Sequence, residues 1–186
     1  FTKIYYIKDI NIYILMSYLY DISNWLETNT FQLKDFTNLK ELENLKNHKG
    51  HTVSVVIPTL EEEKTIEDVL RYLINKLILE NKIIDELVVM DGGSKDNTIV
   101  KILALQKEFP NYIKLHNQDD VLSKVCQYKG KGEALWKSLY VTEGDIVIYS
   151  DSDIKNFDER FIVGILGPLL VRDNIKFVKG YYKRPF

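Results

Sequence analysis

From His51 onward the chain alternates short β-branched apolar runs with stretches of helical period, and that alternation admits few folds. Val53 to Ile57 is a β-branched apolar run, broken only by Ser54 and ending at Pro58, as in a strand buried on both faces. Thr65 to Leu79 places Ile66, Val69, Leu70, Leu73 and Leu77 on one helical face. A second strand is expected over Glu86 to Met90, and a helix over Asp96 to Phe109, closed by Pro110. Ile113 to Leu115 reads as a short strand, Glu133 to Thr142 as a helix before Gly144, and Asp145 to Tyr149 as a strand. Phe161 to Val171 completes the helices, and Lys176 to Lys179 is expected as a last strand. Strands and helices in this order make βαβ units: an α/β fold with a mostly parallel sheet flanked by helices.

Residues 1–50 lack that alternation and read as a small helical extension ahead of a domain spanning 51–186. Leu19, Ile22, Trp25 and Leu26 predict a short amphipathic helix over Ser17 to Glu27. Leu39, Leu42 and Leu45 predict a second, ended by Gly50. Residues 1–15 are almost all Phe, Ile, Tyr, Lys, Asn and Asp; they are expected to pack poorly or drape over the surface, with Met16 as the initiator.

Composition narrows the classes. Hydrophobic residues at 45% and charged residues at 28% are globular values. Lys and Arg number 25 against 27 Asp and Glu, so the net charge of −2 argues against a nucleic-acid-binding arm. One cysteine, Cys126, forms no disulfide within the chain. No stretch reaches the ~18 apolar residues of a membrane helix. Phe1 to Tyr20 is interrupted by Lys3, Lys8, Asp9 and Asn11 and lacks a small-residue cleavage site. The expectation is a cytoplasmic protein with neither membrane nor nucleic acid as partner. His48, His51 and His116 lie at no ligand spacing and read as surface residues.

Ligands of open α/β sheets bind beyond the carboxyl ends of the strands, and here those ends carry acids and turn formers. Asp151-Ser152-Asp153 follows an apolar strand. Two carboxylates so placed can converge on a hard divalent cation, or simply form an Asx turn and helix cap. Pro58-Thr59-Leu60-Glu61-Glu62-Glu63 follows the first strand. It suits a loop gripping a ribose or base, or a helix start with Thr59 as cap and Glu62 three residues on. Asp91-Gly92-Gly93-Ser94 allows close backbone approach, or is a βα turn capped by Ser94 or Asp96. Gly130-Lys131-Gly132 opens a helix, where free N–H groups and an ammonium suit an anion. Neither a P-loop nor a dinucleotide fingerprint is present. The basic tail of Arg172, Lys176, Lys179, Lys183 and Arg184 could attract a phosphorylated acceptor, or be a solvated edge.

In this order the motifs resemble the GT-A fold glycosyltransferases, and within them the glucosyl-3-phosphoglycerate synthase family. The segments that carry the likeness are Val53 to Pro58, Asp85 to Asp91, Gly130-Lys131-Gly132-Glu133-Ala134-Leu135-Trp136, Asp145 to Asp153 and Phe177 to Pro185, with Trp25 to Asp35 like that family's N-terminal extension. The resemblance implies a retaining transfer of glucose from a nucleotide diphosphate sugar, UDP-glucose, to 3-phosphoglycerate, with Mg²⁺ or Mn²⁺. It implies that Pro58, Thr59, Leu60 and Glu62 hold the uridine, that Asp91, Gly92 and Ser94 help seat the base, and that Lys131 meets the diphosphate. It implies catalytic roles for Asp151 and Asp153, donor contacts from Asp151 and Ser152, and metal ligation by Asp153. A homodimer is compatible with it. Where the family usually has Asn, this chain has Glu61. The family's acceptor-binding Arg loop and metal-binding His do not occur before Phe186, so a donor-binding domain without its acceptor region is expected. The alternatives are a nucleotide-sugar-binding fragment that catalyses nothing and a polyprenyl-phosphate sugar transferase. A phosphoryl-receiver domain would need a different order of acids and no Gly-Lys-Gly before a helix.

Overall fold

A computed structural model describes residues 18–125 and 128–181. The expectations for Met16, residues 1–15, Cys126, Lys183 and Arg184 lie outside them. The chain divides into two compact units, residues 1–32 and residues 33–186. The second helix expected in the N-terminal extension falls within the second of these units.

In the first unit, residues 18–29 form helix α1, close to the expected span. Asn29 Nδ2 donates to Trp25 O at 2.9 Å and closes its last turn. Leu19, Ile22, Trp25 and Leu26 are each roughly half exposed.

The second unit opens with a 3₁₀ turn, Leu33–Phe36, and helix α2, Leu39–Lys49. Asn38 caps α2 by accepting from Glu41 N at 3.2 Å, and Gly50 ends it at φ 67°, a left-handed conformation that glycine adopts without cost. Strand β1, Val53–Thr59, runs two residues past the expected end and includes Pro58. The reason lies in the ladder. Val56 O accepts from Ser150 N and Pro58 O from Ser152 Oγ, so Pro58 presents its N side where β4 has already ended. No ladder bond is lost there.

Helix α3, Ile66–Tyr72, continues into a π-helical stretch, Leu73–Glu80, that buries Leu73, Ile74, Leu77 and Ile78. Strand β2 is Glu86–Asp91, helix α4 Thr98–Glu108 and strand β3 Ile113–Asn117. Helix α5, Lys131–Ser138, starts two residues before the expected position; strand β4 is Ile146–Tyr149 and helix α6 Arg160–Val171. The strand expected over Lys176 to Lys179 does not form. That segment has no ladder partner among the described residues, and Phe177 is 81% exposed.

All pairings in the sheet are parallel, in the order β3-β2-β1-β4. Right-handed crossovers put α3 and α4 on one face and α5 on the other, because the chain reverses its direction across the sheet between β3 and β4. Val56, Val88 and Met90 pack with Ala134 of α5, and period-two alternation turns Val55, Ile57, Leu87 and Val89 to the opposite face. Order reverses between β1 and β4, and such switch points are where open α/β sheets bind ligands. Among the described residues no helix is long and apolar enough to cross a membrane.

Candidate active site

The loops after β1, β2 and β4 and the start of α5 meet at that switch point. Ser152, buried after β4, donates from Oγ to Pro58 O at 3.1 Å and closes the gap between the two diverging strands. Lys131 Nζ donates to Asp151 Oδ1, both side chains more than half exposed, which joins the head of α5 to the β4 loop. Gly130 precedes Lys131 at φ 118°, a conformation that needs glycine, and leaves the first N–H groups of α5 without intrahelical partners.

On the other side of β1 the loops are stitched together. Gly92 N donates to Thr59 O at 2.9 Å. Asp91 is buried, and its carboxylate accepts from Gly93 N at 2.8 Å, Ser94 N at 3.1 Å and Ser94 Oγ at 2.6 Å. Its oxygens thus shape the loop. Glu61 N donates to Ser94 Oγ at 2.9 Å, and Glu62 N to Thr98 Oγ1 at 2.8 Å. Glu61 sits at φ 58° in the left-handed region. That explains physically why Asn, which tolerates this region, suits the position better than Glu.

The expected cap by Thr59 does not form: Thr59 is a buried strand residue whose Oγ1 has no hydrogen-bond partner. Glu63 instead accepts from the N–H of Asn97, the residue that precedes α4, at 3.1 Å. Leu60 is exposed at the loop tip. Burial, then the nearby Asp153 carboxylate, push the Glu62 pKa above the ordinary value of 4.5, against a weak bond from Thr65 Oγ1. Asp153 itself is exposed. The expected residues therefore form one connected set, running from Lys131 through Asp151, Ser152, Pro58, Thr59 and Gly92 to Ser94, Glu61 and Glu62, with Asp153 facing Glu62.

Asp151 and Asp153 are hard oxygen donors suited to Mg²⁺ or Mn²⁺. Among the described residues no three His, Cys, Asp or Glu side chains gather in one place, so a cation here needs further oxygens from a ligand such as a diphosphate. His116 is not the surface residue expected: its Nε2 is buried, and burial, then Lys114, hold its pKa below the ordinary value.

Two neighbours escaped the sequence reading. Gln118, buried just past β3, donates its backbone N–H to Asp91 O at 2.8 Å. Lys137 of α5 is fully buried, with Nζ 2.9 Å from Gln118 O and 3.1 Å from Glu133 Oε1. Glu133 accepts from Trp136 Nε1 at 2.7 Å; that bond, with the Lys137 pair, holds its carboxyl below the usual range. The i,i+4 spacing of Glu133 and Lys137 was the available signal.

A parallel four-stranded sheet of this order flanked by helices, with acids and a lysine gathered at its switch point, is the arrangement of the GT-A fold. Residues 54–162 match glycosyl transferase family 2, and the chain belongs to that family. It is 39% identical over 156 residues to the glucosyl-3-phosphoglycerate synthase of Petrotoga mobilis, covering 84% of this chain and 46% of that protein. The crystal structure of glucosyl-3-phosphoglycerate synthase from Mycobacterium tuberculosis in complex with Mn²⁺, UDP and glucosyl-3-phosphoglycerate superimposes with a TM-score of 0.66 at 38% identity, over 78% of this chain and 48% of that one. Mannosyl-3-phosphoglycerate synthase from Rubrobacter xylanophilus gives 0.71 at 28% identity, over 80% and 45%. The chain spans about half the length of the curated relatives it matches.

Proposed function

We propose that this chain binds UDP-glucose in the crevice between β1 and β4 and serves the transfer of glucose to 3-phosphoglycerate with retention of configuration. The observation that carries the reading is the single connected set of polar groups at the switch point, in which an exposed lysine at a helix start pairs with Asp151. The relatives support it through the UDP, Mn²⁺ and glucosyl-3-phosphoglycerate of the mycobacterial complex.

In this reading Pro58, Thr59, Leu60 and Glu62 hold the uridine, with the loop of Asp91, Gly92 and Ser94 fixing its base-facing side. Lys131 moves from Asp151 to the diphosphate, where its ammonium and the first N–H groups of α5 stabilise the charge that develops as the leaving group departs. Asp151, once released, accepts from hydroxyls of the ribose or glucose, and Ser152 keeps the β4 loop in place. Asp153, with Asp151 beside it, would hold Mg²⁺ or Mn²⁺, which when bound supplies further charge neutralisation on the diphosphate.

Calorimetry with UDP-glucose, with and without Mn²⁺, tests the donor site. Binding strengthened by Mn²⁺ is expected, and Asp153→Ala should abolish that gain while leaving the unfolding midpoint unchanged. Equal affinity with and without metal would remove Asp153 from the metal role, and no binding under either condition would refute the donor site. UDP release on adding 3-phosphoglycerate, with NMR assignment of the product anomer, tests the acceptor and the stereochemistry.

A further inference from the structure

We propose that Lys137 is a positioning residue for the donor site: it fixes α5 against the ends of β2 and β3 and so sets where Lys131 stands. The proposal rests on the donor reading above.

A fully buried ammonium is an expensive element of a core. Removing it from water costs several kcal/mol, and an apolar residue of similar size is often as stable or more so. Lys137 has no contact with solvent, so solubility does not explain it. What it holds does. Its Nζ donates to Gln118 O at 2.9 Å and pairs with Glu133 at 3.1 Å. Gln118 lies one residue beyond β3 and prolongs the ladder by donating to Asp91 O at 2.8 Å. Asp91 shapes the loop to Ser94, and Ser94 Oγ accepts from Glu61 N at 2.9 Å.

Lys137 therefore ties the helix that carries Lys131 to the two loops on the other side of the crevice. A methionine of the same reach would fill the space but could not bond a carbonyl beyond a strand end. Lys131 and Lys137 are six residues apart on one helix, about 9 Å along its axis, so a shift of the buried end is carried to the exposed one. Glu133, one turn from Lys137 and in the first turn of α5, completes the brace.

The test is a double-mutant cycle on the 186-residue chain, reading UDP affinity in the presence of Mn²⁺ together with the thermal midpoint. Lys137→Met should bind UDP about tenfold more weakly than the wild type, the loss of roughly half the worth of a charge-assisted bond. In a Lys131→Ala background the same change should alter affinity by less than about twofold, since its effect passes through Lys131. Unchanged affinity in Lys137→Met would overturn the proposal, as would an equal loss in both backgrounds, which would mark a general weakening of the fold. Should Lys137→Met not fold, Glu133→Gln weakens the same brace and must show the same non-additivity. A wild type that fails to bind UDP defeats the donor reading and this inference together. A wild type that binds, weakened by Lys131→Ala but not by Lys137→Met, defeats this inference alone.

Discussion

The two ends of one sheet use their carboxylates in opposite ways. At the end where the strands begin, each acid is engaged by donors of the fold itself. Asp85 accepts from Lys46 Nζ at 2.7 and 2.8 Å and from Val53 N at 2.8 Å. Glu86 accepts from Ser54 Oγ and from Glu143 N at 2.9 Å, and pairs with Lys114 at 2.7 Å. Burial raises its pKa, but these partners, Glu143 N–H foremost, bring it below the ordinary value. Asp145 accepts from Thr52 N and Oγ1, both at 2.8 Å, and is likewise lowered. Where the strands finish the acids divide: Asp91 and Asp96 are engaged by their own loops, and Glu63 by Asn97. Glu62 is pushed up, Asp151 leans on one exposed lysine, and among the described residues no side-chain hydrogen bond reaches Asp153. The lower end is arranged for stability. The upper end holds charge that the fold does not neutralise, which costs stability unless a ligand arrives to use it.

The contrast is broken most severely from below. Asp85→Ala leaves Lys46, whose side chain is 4% exposed, as an uncompensated buried charge and orphans Val53 N–H. A loss of about 3 kcal/mol is expected in denaturant unfolding. UDP affinity of the folded protein should not change, because Asp85 lies at the far end of the strands. A fall in affinity without a fall in stability would erase the distinction between the two ends.

A smaller effect, opposite in sign, is expected from above. Glu61 occupies a left-handed conformation that costs an ordinary residue roughly 1–2 kcal/mol. Glu61→Asn should recover about 0.5–1 kcal/mol, because Asn visits that region with less strain. Chemical denaturation of the variant decides it, and a destabilised variant would mean that the Glu61 side chain contributes more than its backbone costs.

How much of this was legible beforehand follows the same division. The strands were readable because β1 and β2 are buried on both faces and so show as mostly apolar, β-branched runs. Their parallel order followed from the helices between them, and the acids at the strand ends pointed to the site. The ends of elements were less legible. Pro58 hid the last turn of the ladder, since a missing N–H matters only where a neighbouring strand is still present. Lys176 to Lys179 has the composition of a strand, but composition does not supply a pairing partner. The brace through Lys137 was hidden because a lysine reads as solvated until the fold buries it. Glu61 stands out in the sequence only against the Asn usual at that position, and its consequence is in the backbone.

The finest test concerns Glu62. Its folded-state pKa is raised, by burial first and by Asp153 second, so the folded protein holds this proton more tightly than the unfolded chain does. Folding then releases no advantage below the ordinary value of 4.5, where both states are protonated, beyond what the neutral form already enjoys. As pH rises from there through the folded-state pKa, the unfolded chain ionises first and stability is lost; the loss is complete above it. Glu62→Gln, which cannot ionise, should therefore be more stable than the wild type at neutral pH, by no more than about 0.5 kcal/mol at this half-exposed position. The difference should shrink as pH falls through that window and vanish below it. Urea melts of both proteins across the acid range would show this convergence. A gap that is constant with pH would place the effect in packing, and a gap that widens toward acid would mean that ionised Glu62 is held favourably by the fold, making it one more engaged carboxylate like those at the opposite end of the sheet.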